Sequence, residues 1–161
     1  METILTSPHL WVMFVLATSV NAVFFRIAAT QHSKEHPELA DGFATLIRGW
    51  LFWGNLPWIV MGIGLEFGGV SNLWHYFQPR EGNPYVLAWF VCVMFLWILG
   101  FWWIFLRGGA EMLAKHSMIF NYSDLSNPAK VKLFYLICVG GGVVGFILMF
   151  FMEFPLPFGD K

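Results

Sequence analysis

The 161-residue chain is 58% hydrophobic and only 12% charged, with a formal net charge of −1. So little charge cannot keep such a chain dispersed in water as a monomer, which excludes a soluble globular domain. A near-zero charge with no concentrated basic face also excludes nucleic acid as a partner.

The length suits one domain over residues 1–161. Its apolar residues gather in four blocks, 10–29, 47–66, 85–106 and 131–151. Each is near the ~20 residues a helix needs to cross the hydrocarbon of a bilayer. In lipid every backbone polar group must be paired within its own segment. The expected fold is therefore all-α: a polytopic integral membrane protein built as a four-transmembrane-helix bundle.

Before the first block, Met1–His9 carries Glu2 and no Lys or Arg, so the basic region of a secretory signal is missing. The first span is expected to stay in the mature chain. It holds Thr18, Ser19 and Asn21 near its middle, and Arg26 close enough to its inner end to snorkel toward headgroups. In the loop 30–46, Pro37 suits the first turn of a helix.

The second span is the irregular one. Pro57 has no amide hydrogen and clashes with the carbonyl of Trp53, which predicts a kink. Gly54 loosens the same region, and Gly62, Gly64 and Gly68 thin the outer half for close helix contact. The aromatic-rich loop 67–84 ends at Gly82-Asn83-Pro84, a turn into span three. Span three is uncharged and carries Trp89, Trp97, Trp102 and Trp103.

Within the loop 107–130, the stretch AEMLAKHSMIF is amphipathic enough to lie on the membrane surface. Asn127 as N-cap and Pro128 as first residue open span four. Gly140, Gly141, Gly142 and Gly145 interrupt that span, and Gly141 with Gly145 fits the small-xxx-small pattern of helix packing.

Lysine and arginine set the orientation. Arg26, Lys34, Arg48, Arg107, Lys115, Lys130 and Lys132 lie on or beside loops 30–46 and 107–130, against Arg80 and Lys161 on the other side. Both basic loops are expected in the cytoplasm, with the termini and loop 67–84 outside, in a bacterial inner membrane. Cys92 and Cys138 fall at different depths and are read as small apolar fillers rather than a disulfide.

Polar chemistry at mid-depth is sparse. Asn21 lies eleven residues in from Leu10, and Asn55 eleven residues in from Glu66. Neighbouring antiparallel spans would bring them to one height, together with Thr18 and the Trp53 carbonyl freed by Pro57. Such a cluster is either interhelical glue or a small hydrated site for an ion or polar solute. Glu66 and Glu153 end their spans on the outer side, as solvated caps or as an acidic rim that would favour cations in an oligomer.

His32, His36 and His116 are weak candidates for metal ligands. Pro37 directly follows His36 and pushes it out of the helical region, against chelation at i and i+4. No motif for nucleophilic, phosphate or redox chemistry is present, and no cofactor is expected. The reading that follows is a structural or accessory component of a membrane assembly, with lipid and other membrane subunits or further copies as partners. An oligomeric channel or small-solute transporter is the alternative. A membrane-embedded redox or lipid-modifying enzyme using His75, Arg80 or Arg107 comes third.

Overall fold

The computed structural model describes residues 9–117 and 123–152, and over these the chain is all-helical. The long helices are α1 Leu10–Glu35, α2 Ala40–Phe67, α3 Pro84–Leu106 and α5 Pro128–Phe151, with a short α4 over Gly109–Lys115. Glu153, Lys161 and the end of the amphipathic stretch after Ser117 lie outside the described residues.

Local chemistry explains most of the boundaries. Nothing in α1 stops the helix until His36, which the following proline forces out of the helical region at φ −130°, ψ 70°. A 3₁₀ turn, Pro37–Leu39, then leads straight into α2. The loop expected over 30–46 is therefore mostly helix. α2 stays a single helix through Pro57. Asn83 caps α3 by accepting from the Tyr85 amide at 2.9 Å, after Gly82 has turned the chain at φ 73°. Asn127 caps α5 by accepting from the Ala129 amide at 2.9 Å, with Pro128 in the first turn as expected.

Three helices, α1, α3 and α5, are long and apolar enough to cross a membrane, which makes this a multi-pass membrane protein by composition. α2 is the longest at 28 residues. However, Asp41, Arg48, Asn55, Pro57 and Glu66 dilute its apolar run below the level of the other three.

The α1–α2 turn and the α3–α5 connection meet at one end of the bundle, the basic end. The α2–α3 connection closes the far end. Buried side chains gather at these two ends. At the far end Met61, Leu65, Val70, Tyr76, Val86 and Phe90 form one cluster, with Trp11 and Trp58 against it. The Tyr76 hydroxyl donates to the Met61 carbonyl at 2.9 Å, and burial pushes that phenol up to about 12. At the basic end Ala29, Leu39 and Phe43 pack together beside a second group, Ile104, Ala110, Ala114 and Val131. Ala110 and Ala114 thus draw α4 in against α3 and α5. Over its described part, the stretch expected to lie on the membrane surface is packed against this chain through those two alanines.

Glycines organise the contacts between helices. A helix without a Cβ leaves a hollow, and aromatic rings fill it. Trp11 lies over Gly62, Tyr76 over Gly64, Tyr85 over Gly68, Tyr135 over Gly100, Trp103 over Gly109 and Trp97 over Gly142. The His116 imidazole lies over Gly42 in the same way. At each of these seven positions an added methyl would collide with atoms of that side chain.

Candidate functional site

The mid-depth polar residues are only partly assembled. Asn55 is buried and donates its amide to the Leu51 carbonyl one turn back, at 2.8 Å. Its Oδ1 is buried without a hydrogen-bond partner. Asn21 is exposed on α1 and makes no bond to Asn55. Thr18 donates to the Phe14 carbonyl at 2.9 Å, and its own carbonyl accepts from the Trp50 indole at 3.3 Å. A Cβ added at Gly54 would lie 3.4 Å from its methyl. Trp53 is largely exposed, edge-on to Phe52. Pro57 stands inside α2. What the sequence reading brought together as one site is two satisfied groups, one outward carboxamide and one unpaired oxygen.

At the far end Glu66 is engaged rather than free. Its Oε1 accepts from the Trp11 indole at 3.3 Å and lies 2.7 Å from the His9 Nδ1. This ties the start of α1 to the end of α2. His75 pairs with Glu81 at 3.4 Å near the exposed Arg80, whereas Arg107 sits over the Trp102 ring at 5.1 Å. His75 and Arg80 therefore share the far end, while Arg107 belongs to the basic end with α4. The three residues considered for an enzyme do not share a site.

The basic end holds His32, His36 and His116 in two different settings. His116 is buried at 5% exposure, with Nδ1 2.7 Å from the Met112 carbonyl and Nε2 3.3 Å from the Leu39 carbonyl. Phe43 meets it edge-on at 4.7 Å. The imidazole thereby clasps α4 to the α1–α2 turn, across 77 residues of sequence. The neutral ring donates to one of these two carbonyls, and His116 stands apart from the His32, Glu35 and His36 ligand atoms.

His32 and His36 stand on the outside of the same turn, ring centroids 4.6 Å apart, with Glu35 beside them. Glu35 is a neighbour the sequence reading passed over as a ligand; the spacing His-x-x-Glu-His was the available signal. Glu38 lies 3.5 Å from the His36 Nδ1. Its own backbone amide, and then the His36 ring, hold the Glu38 carboxyl below the usual carboxylate range.

The four glycines named for helix packing divide sharply. Gly64 and Gly68 are filled by tyrosines from the same chain, while Gly141 and Gly145 have nothing within 4 Å of an added Cβ. Gly140 is equally open. The same side of α5 exposes Ile137, Val144 and Leu148, and Cys138 is exposed one turn from Gly141. No protein-family model, no curated protein and no solved structure matches this chain.

Proposed function

We propose that this chain is a four-span subunit of a membrane assembly, and that it works structurally by docking α5 onto a helix of a neighbouring subunit. Its termini lie outside and its two basic loops in the cytoplasm of a bacterial inner membrane. The reading of α2 as the fourth span is supported by its attachment along α1. Trp11 fills Gly62, Phe14 stacks on Trp58 at 4.3 Å between ring centroids, and Trp50 bonds the Thr18 carbonyl. A helix bonded end to end to a spanning helix crosses with it, its mid-length Asn55 covered by protein and its exposed Asp41, Arg48 and Glu66 toward the two ends.

One observation carries the docking role: seven glycines each hold a ring from this chain, while Gly140, Gly141 and Gly145 on α5 are open. Small residues one turn apart let two helix backbones approach closely, where van der Waals packing drives association in lipid.

Cys138 tests this directly because it is exposed beside the open glycines. Copper-phenanthroline oxidation of native membranes should give a disulfide-linked complex containing this chain. The complex should disappear in Cys138→Ser and persist in Cys92→Ser. A link between two copies identifies a homo-oligomer, and a link to another membrane protein identifies a mixed assembly. A chain that stays uncross-linked and also runs as a monomer after mild-detergent extraction overturns the proposal.

The channel reading draws on one feature, the buried and unpaired Asn55 Oδ1. For a structural subunit, Asn55→Leu leaves melting unchanged or raised, because an orphaned buried acceptor costs about 1–3 kcal/mol. Liposomes carrying wild-type protein should show no ion or solute flux above empty ones. Flux that Asn55→Leu abolishes without loss of fold would reverse the order of the two readings.

A further inference from the structure

We propose that His32, Glu35 and His36 form a binding site for a divalent transition-metal ion of the zinc type at the α1–α2 turn. One ligand atom from each residue lies within 4.8 Å of the other two. That spacing needs only small side-chain rotations to surround an ion held at about 2.0–2.2 Å from nitrogen and oxygen donors.

The backbone keeps the group together even though His36 has left the helix. Its amide still donates to the His32 carbonyl at 3.0 Å, so both imidazoles stay on one side of the turn. Pro37 fixes the chain immediately beyond it. The His32 ring is braced edge-on, at 5.8 Å between centroids, by Phe43, which is itself 2% exposed.

The donor chemistry selects the ion. Two imidazoles and one carboxylate oxygen suit zinc and its first-row neighbours, whereas calcium and magnesium prefer oxygen throughout. Glu38, 3.5 Å from the His36 Nδ1, engages that nitrogen and leaves Nε2 for the metal. An outer carboxylate commonly orients a ligating histidine in this way. Glu35 and Glu38 together balance the charge of a dication. Three protein ligands leave one tetrahedral position for water. The site is on the surface, so an ion enters without opening the fold, and once bound it braces the short connection between α1 and α2.

The test uses the full chain, purified in mild detergent with a tag that contains no histidine, and titrated with Co2+. Wild type should take up one equivalent with the visible ligand-field bands of four-coordinate cobalt, and Zn2+ should bleach them. His32→Gln and His36→Gln should each weaken binding at least about tenfold, and Glu38→Gln about 10–100-fold. His75→Gln, at the opposite end of the bundle, should bind as wild type does. Every variant is checked for wild-type melting before titration. A titration without those bands, or binding that survives both His32→Gln and His36→Gln, overturns the proposal.

Discussion

Gly64→Val should strongly lower the melting temperature of the detergent-solubilised protein. A Cβ at this position would strike the Tyr76 hydroxyl and lie 3.1 Å from the Tyr85 Cβ. Tyr76 has no room to retreat, being 2% exposed within the far-end cluster. Overpacking of this kind costs about 1–3 kcal/mol. Displacing the phenol also breaks its bond to the Met61 carbonyl, and a stranded buried hydroxyl costs about 1–3 kcal/mol more. The second term can be isolated. In a Tyr76→Phe background the obstructing hydroxyl is gone, so Gly64→Ala should cost less than it does in wild type. Thermal unfolding followed by tryptophan fluorescence measures the coupling, and additive effects would contradict the contact.

Gly141→Leu should do the opposite: leave the isolated subunit intact and dissolve its assembly. A Cβ added at Gly141 meets nothing in this chain within 4 Å. Replacing a helical glycine in open space typically stabilises by about 0.4–1 kcal/mol. The same leucine would hold a partner helix away from the backbone it must approach. Expected results are unchanged or raised melting in detergent, a native mass reduced to one subunit, and loss of the Cys138 cross-link in membranes. Gly145→Leu should reproduce all three. A Gly141→Leu protein that still assembles at wild-type mass would place the interface elsewhere.

The contrast between these two glycines also marks where reading the sequence stops. Spacing identified Gly64, Gly68, Gly141 and Gly145 as packing positions, because small residues one turn apart have a single obvious use in a membrane helix. Which of them this chain fills itself depends on the rotation of α2 and α5 about their axes and on rings far away in sequence. The caps at Asn127 and before Pro84 were legible because they are local. The Asn21–Asn55 pairing was not, for a geometric reason: counting from the span ends gives height but not azimuth. Ala22, at 2% exposure, marks the face of α1 that turns inward. Asn21, one residue earlier, is rotated by roughly 100° from it. His36 shows a second limit. Pro37 does expel it from the helix, as its position before proline requires, yet the retained bond to the His32 carbonyl keeps the two rings together. His116 was beyond reach from sequence, since its partner Leu39 lies 77 residues away.

The three clusters of buried side chains stand at the two ends of the bundle, with little between them beyond Ala22, Asn55 and the ring of Trp97 over Gly142. Halfway along α3, Val91, Phe95 and Ile98 face outward. Cohesion is therefore lent at two plates, and the waist joining them is finished by whatever hydrocarbon surrounds it. The rise of the helices fixes how far apart the plates are held, so a bilayer thinner than that waist is met by tilt.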